Sequence, residues 1–280
     1  MREISIGELR IGENSPLALV AGPCVIEDAE ECLHIASRLK NLTDQLGIPF
    51  IFKSSYDKAN RSSIDSYRGP GLEKGLEVLS MIKAKLSVPV LTDVHCRFDV
   101  ERVAQVADVV QVPAFLCRQT DLIQTVAEKA RAINVKKGQF LSPWEVKNIV
   151  EKIERVGNHN ILLTERGICF GYNCLVSDMR AIPIVQSWGY PVIFDATHSV
   201  QRPGELGSAS GGERQFVACL AKAAVAAGCD GLFLEVHPDP DRALSDAASM
   251  LPLDALPDLL EKTIAIRNIV NPPRSSKEGA

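Results

Sequence analysis

Residues 132–165 read AINVKKGQFLSPWEVKNIVEKIERVGNHNILLTE. The stretch opens on a short apolar run, Ala132–Lys136, and closes on another, Ile161–Glu165. Between them lies an amphipathic segment over 144–156, and Ser142-Pro143 in front of it is a helix-start signal. Both runs are solidly apolar rather than alternating. That pattern marks strands covered on both faces, as in a parallel sheet.

The same unit recurs along the chain. Further runs at Leu17–Ala21, Pro49–Ser54, Val88–Asp93, Val109–Val112, Pro191–Asp195 and Gly231–Val236 bring the total to eight. Helical patterns fill the gaps at Glu27–Gln45, Leu72–Leu86, Gln119–Ala130, Val176–Ser187, Gly211–Ala227 and Leu256–Val270, with a shorter spacer at Phe98–Ala107. Ser210 precedes Gly211 as a second start signal. Eight strand–helix units with short connections predict a (β/α)8 barrel, with a doubly wound open sheet as the alternative. No linker or low-complexity stretch interrupts residues 1–280, so one domain is expected. Ile4, Ile6, Leu9 and Ile11 flank Gly7-Glu8 and predict a hairpin over residues 1–12 that caps the barrel. Pro272–Ala280 is polar and reads as a frayed tail.

Bulk properties narrow the function. A length of 280 residues suits a barrel, which needs about 250. A net charge of -4 argues against a nucleic-acid surface. No run approaches the roughly 20 apolar residues of a membrane span. MREISIGELR is not of signal-peptide type. The eight cysteines contain no C-x-x-C pair, which excludes ribbon and finger zinc sites. Thiols in a chain without an export signal predict a reducing, cytoplasmic setting, and most of them read as small core residues. Neither G-x-G-x-x-G, a Walker loop nor G-x-S-x-G occurs, so no nucleotide cofactor and no serine nucleophile is expected.

In a parallel barrel the chemistry collects at the carboxyl ends of the strands. There the chain places Lys53, Asp93, Gln111, Lys136, Lys137, Glu165-Arg166, Asp195 and Glu235, with His95, His198 and His237 just beyond. A lysine at the end of an apolar strand is costly unless an anion faces it. Lys53, Lys58, Arg61, Lys136, Lys137 and Arg166 therefore predict a site for small phosphorylated substrates. The loop K-A-N-R-S-S, 58–63, adds a guanidinium fork, hydroxyls and an amide suited to one phosphate. Ser210-Gly211-Gly212, at a helix start, offers a weaker anion site. Cys24, His198, Glu235 and Asp246 follow the first, seventh and eighth strands. A closed barrel would bring them together as one metal site. A thiolate, an imidazole and two carboxylates suit one divalent Zn, Fe, Mn or Co ion better than Mg or Ca.

The chain resembles the 3-deoxy-D-manno-octulosonate 8-phosphate synthase family. The resemblance rests on FKSSYDKANRSS at 52–63, SYRGPGL at 66–72, LTDVH at 91–95 and QVPAFLCRQTDL at 111–122. It continues in NVKKGQF at 134–140, ERGICFGYN at 165–173, FDATHSVQ at 194–201, SGG at 210–212 and EVHPDP at 235–240. It implies condensation of phosphoenolpyruvate with arabinose 5-phosphate, release of phosphate, a role in lipopolysaccharide synthesis and a homotetramer. By the same resemblance Lys53, Lys58, Lys136 and Arg166 hold phosphoenolpyruvate. Asn60, Arg61 and Ser62 hold the sugar phosphate, with Arg118 reaching in from a neighbouring subunit. Gln111, Pro113 and Ala114 line the site, Asp93 supports it, and His198 is a ligand or proton carrier. Cys24 after G-P places the chain among metal-using members. The chain departs from the family pattern at Cys96, Cys117, Cys169, Arg202, Ser208 and Ala209.

Overall fold

Eight parallel strands close on themselves in the computed structural model, which describes residues 1–12, 15–205, 207 and 210–272. They are β1 (Ala18–Gly22), β2 (Phe50–Lys53), β3 (Val90–Asp93), β4 (Val109–Val112), β5 (Ala132–Lys136), β6 (Ile161–Glu165), β7 (Val192–Asp195) and β8 (Gly231–His237). Each pairs with its sequence neighbour. Closure is made by β8 against β1, with Gly231 opposite Ala18. The ring has no edge strand, which sets aside the open-sheet alternative.

The helices are α1 (Ala29–Leu46), α2 (Leu72–Leu86), α3 (Val100–Val106), α4 (Thr120–Lys129), α5 (Val146–Glu154), α6 (Ala181–Gln186), α7 (Val217–Ala226) and α8 (Leu256–Val270). Local chemistry sets their ends. Asp28 caps α1 by accepting from the backbone N–H of Glu30 and Glu31 at 2.9 and 3.0 Å. Gly47 ends it in the left-handed region at φ 63. Ser142 and Glu145 form a capping box ahead of α5. α1 buries Cys32, Ile35, Ala36, Leu39 and Thr43 against the sheet. In the core on the two faces of the sheet, Val20, Ile51, Leu91, Val110, Ile133 and Phe233 are fully buried, each contributing about 1.5–3 kcal/mol of transfer free energy.

Two spacers differ from the sequence reading, and both differences bear on the mouth of the barrel. Within 176–187 only Ala181–Gln186 is helical, while Leu175–Val176 pairs with Ile168–Cys169 in a small antiparallel hairpin. Gly171 and Asn173, at φ 80 and 52, make its turn. Within 211–227 the helix starts at Val217. Gly211–Gly212 instead pairs with Gln201–Arg202. A Cβ on Gly212 would meet the Ala248 backbone at 3.0 Å, so close packing rather than a helix start explains the glycine.

The N-terminal hairpin pairs Ile4–Ile6 with Leu9–Ile11 and buries Ile4, Ile6 and Ile11. Arg2 N donates to Gly189 O at 2.9 Å, just ahead of β7. Arg267 of α8 donates to Gly12 O and to Cys229 O ahead of β8. The hairpin therefore sits at the amino end of the barrel, opposite the mouth. Of the expected frayed tail, 272–280, all but Pro272 lies outside the described residues, as do the departures Ser208 and Ala209. Cys24, Cys32, Cys117 and Cys229 are buried, but Cys96, Cys169, Cys174 and Cys219 are exposed. Half of the thiols thus depart from the expected core placement. These four occupy mouth loops and the outer side of α7, where no packing demand acts on them. No described helix is long and apolar enough to cross a membrane.

Candidate active site at the barrel mouth

Strand ends converge on one cavity of about 420 Å³. Lys53, Lys58, Asn60, Arg61, Ser62, Asp93, Gln111, Pro113, Ala114, Lys136, Arg166, His198, Glu235 and Asp246 all line it. Cys24 is completely buried behind that wall. It is carried there by Gly22, whose Cβ position lies 2.0 Å from the Lys53 carbonyl and admits no side chain.

Three of the four expected ligands, Cys24, Glu235 and Asp246, bring ligand atoms within 4.8 Å of one another across the β8–β1 seam, and His198 lies outside that group but beside two of its members. Cys24 Sγ lies 3.2 Å from Asp246 Oδ2 and 2.9 Å from Ser245 Oγ. His198 Nε2 lies 3.6 Å from Glu235 Oε2 and 3.8 Å from Asp246 Oδ2. Ligand atoms sharing one ion with bonds of about 2.0–2.3 Å stand roughly 3–4 Å apart, and each of these three ligand pairs lies in that range. Glu235 Oε2 is buried without a hydrogen-bond partner among the described residues, as an atom reserved for a cation would be. Asp246 adopts φ 52, a left-handed conformation that Asp tolerates and that is held where a site requires it. Burial, then the charges of Asp246 and Glu235, push the Cys24 thiol well above its ordinary pKa. Only a cation would draw off its proton there. Glu235 is opposed by burial, yet His198, Lys53, Lys58 and Lys136 hold it well below the usual carboxylate range.

The lysines are integral to this wall. Lys53 Nζ donates to Glu235 Oε1 at 2.6 Å and to Cys24 O at 2.9 Å. Lys136 Nζ donates to Asp195 Oδ2 at 2.5 Å and stands 3.6 Å from the centre of the Phe233 ring. Burial lowers the Lys136 pKa despite the pull of Asp195 and Glu235. His198 Nδ1 lies 2.8 Å from Asp195 Oδ2. Asp195 Oδ2 and Lys136 Nζ, the latter at 3.4 Å, flank Nδ1, which leaves Nε2 facing Glu235 and Asp246. Asp195 is opposed by burial but held below the usual range by His198 and Lys136.

A second carboxylate organises the other side. Asp93 accepts from Ser55 Oγ at 2.5 Å and lies 3.0 Å from His95 Nε2. Burial disfavours both charges. Even so, Asp93 is driven down by His95 and nearby lysines, and His95 is raised above its ordinary value by Asp93. Gln111 accepts from Asn134 Nδ2 at 2.9 Å, and Asn134 accepts from Thr164 Oγ1 at 2.7 Å. Arg61 Nη1 lies 3.8 Å from Asp246 Oδ1, while Arg61 Nη2 and Arg166 Nη1 are buried with no acceptor among the described residues. Two guanidinium edges thus wait for anions.

Some sequence expectations land elsewhere. Lys137 is outside the cavity. Its Nζ donates to the carbonyls of Gly138, Leu141 and Gly167 and lies 3.5 Å from Glu165, so its role is structural. Successive strand residues face opposite sides, and Lys136 takes the inward place. Ser210 reaches the cavity wall, but no helix starts there. Arg118 is exposed and outside the cavity within one chain. His237 accepts from Asp239 N at 3.0 Å through Nδ1 and lies 3.6 Å from Glu31, away from the cavity. Gln139 and Gln201 line the cavity and Asp195 supports it through Lys136 and His198, roles that no sequence motif marks. Asp195 was visible as a strand-ending acid, but nothing local linked it to Lys136 and His198.

This barrel and cavity define a class: a (β/α)8 enzyme built around small anionic substrates. Buried lysines and two guanidinium nitrogens without an acceptor among the described residues suit small anions. The chain belongs to the DAHP synthetase I family, whose sequence profile aligns with residues 2–271. Among curated relatives, a 2-dehydro-3-deoxyphosphooctonate aldolase of Geotalea daltonii is 57% identical over 96% of this chain and 99% of its own length. Proteins of the same name from Desulfosudis oleivorans and Geobacter sulfurreducens are 58% and 54% identical, over 94% and 96% of this chain and 95% and 99% of their own.

Proposed function

We propose that the protein condenses phosphoenolpyruvate with D-arabinose 5-phosphate and water, giving 3-deoxy-D-manno-octulosonate 8-phosphate and inorganic phosphate for lipopolysaccharide synthesis. One observation carries the reading. A single cavity holds both the anion-directed cations and the K-A-N-R-S-S loop, in a chain 57% identical to a 2-dehydro-3-deoxyphosphooctonate aldolase.

Lys53, Lys58, Lys136 and Arg166 hold the phosphate and carboxylate of phosphoenolpyruvate, removing much of the entropic barrier to encounter. Asn60, Arg61 and Ser62 hold the sugar phosphate, with Gln111, Pro113 and Ala114 as the wall. Asp93 fixes its side of the cavity through Ser55 and His95. C3 of phosphoenolpyruvate forms the new bond to the aldehyde carbon, whose oxygen takes up a proton. Water adds at C2 and its proton passes to solvent in the cavity. The C2–O bond to phosphate then breaks and inorganic phosphate leaves. Cys24, His198, Glu235 and Asp246 would hold one divalent Zn, Fe, Mn or Co ion. Bound there, it supplies a Lewis acid for the aldehyde oxygen or for a water.

The same reading includes a cytoplasmic setting and a homotetramer, in which Arg118 of the partner subunit completes the sugar-phosphate site. Phosphate release and product mass test the function. Turnover of phosphoenolpyruvate with arabinose 5-phosphate is expected. Preference for erythrose 4-phosphate or N-acetylmannosamine would indicate a heptulosonate or sialic-acid type synthase. Binding without phosphate release would indicate a non-catalytic barrel.

A further inference from the structure

Arg166 is 5% exposed and has no ion-pair partner among the described residues. Its Nη2 donates to one side-chain acceptor, Gln201 Oε1, at 2.8 Å, with a longer contact to the His198 carbonyl at 3.4 Å. Nη1 stays buried and unpartnered at the cavity. A buried guanidinium usually carries a carboxylate. Here a neutral amide fixes one edge of the fork without cancelling its charge. The opposite edge stays oriented and fully cationic.

Gln201 also begins a two-stranded flap, made of Gln201–Arg202 and Gly211–Gly212, at the cavity wall. It pairs with Gly212, and Arg202 pairs with Gly211. Glu213 N donates to Val200 O at 3.0 Å, and the Gly212 backbone packs on Ala248, in the loop that carries Asp246. The residue that orients Arg166 is thereby anchored to a two-stranded ladder rather than a free loop.

We propose that Gln201 is a positioning residue: it sets the phosphate grip of Arg166 while leaving that charge unneutralised for the substrate. The inference rests on the function proposed above and adds a residue to its anion site. A carboxylate at 201 would occupy the fork as an internal counter-ion and compete with phosphate. An apolar side chain would release the fork.

The test compares wild type, Gln201→Met and Gln201→Glu by steady-state kinetics in both substrates, and by calorimetric binding of phosphoenolpyruvate alone. Gln201→Met is expected to raise KM for phosphoenolpyruvate roughly tenfold, the usual scale for a lost orienting bond to a charged group. Gln201→Glu should raise it further, with weaker binding in calorimetry. In both, kcat at saturation and KM for arabinose 5-phosphate should stay within about twofold of wild type. A carboxylate at 201 keeps the side-chain shape, so Gln201→Glu still decides the matter if Gln201→Met does not fold. Unchanged KM for phosphoenolpyruvate in the folded variants would overturn the proposal. So would a parallel rise of both KM values with a falling kcat, which marks a general loss of flap structure. If wild type releases no phosphate from the two substrates, the function falls. If wild type turns over and the variants keep its KM, only this inference falls.

Discussion

Asp195→Asn removes the charge around which the deep side of the cavity is organised. Asp195 is fully buried. Its Oδ2 accepts from Lys136 at 2.5 Å and lies 2.8 Å from His198 Nδ1, while Oδ1 accepts from His198 N at 2.9 Å. Asparagine keeps the shape but presents an amide donor or a neutral oxygen to those groups. At an effective dielectric near 20, unit charges about 2.5 Å apart attract by roughly 6–7 kcal/mol before desolvation is counted. Removing one partner of such a buried pair leaves a net cost of about 3–5 kcal/mol. For 280 residues the melting entropy is about 0.6 kcal/mol/K, so a loss near 3 kcal/mol lowers Tm by about 5 °C. The sign with pH follows from the depressed pKa of Asp195. Its stabilisation is complete above the unfolded value of about 4 and is lost as pH falls toward the folded one. The Tm gap should be full at neutral pH and close in acid. His198 also loses the carboxylate beside its Nδ1, which should weaken zinc binding about 10–100-fold. Differential scanning fluorimetry and competition with a chromophoric chelator measure both. A neutral-pH Tm within about 1 °C of wild type, together with unchanged zinc affinity, would refute the reasoning.

Chelator-stripped protein should lose turnover and regain it with Zn, Mn, Co or Fe. Full activity in verified metal-free protein would remove Cys24 from the ligand set. Cys24→Asn should retain part of its turnover without metal, and a variant that stays wholly metal-dependent would count against the assignment. Lys137→Met leaves Glu165 and three carbonyls short of a donor, so Tm should fall by about 5 °C while KM for phosphoenolpyruvate stays within about twofold. A large KM change with an unchanged Tm would show that Lys137 touches substrate after all. His95→Gln tests the Asp93 pair. The raised His95 pKa contributes stability that is full below about 6.5 and fades as pH rises through the folded value. Urea unfolding should therefore show a larger wild-type advantage at pH 6 than at pH 9. An advantage that does not change with pH would exclude an ionised pair.

Local signals carried the barrel. The eight apolar runs were legible because parallel strands are apolar on both faces, and α2 and α8 were legible because their apolar positions recur with the helical period. The K-A-N-R-S-S loop and the strand-ending Lys53, Lys136 and Glu235 were also visible, since a charge that ends an apolar run stands out. Three-dimensional closure decided the rest. Cys24 and Asp246 are 222 positions apart and meet only because β8 pairs with β1. Adjacent strand residues face opposite sides, but the chain alone does not say which of Lys136 and Lys137 turns inward. That follows from the pleat once neighbouring strands are in register. The link from Asp195 to Lys136 spans 59 positions, and the flap of Gln201 on Gly212 replaces an expected helix start. Such contacts form between elements distant in sequence, so neither composition nor periodicity records them.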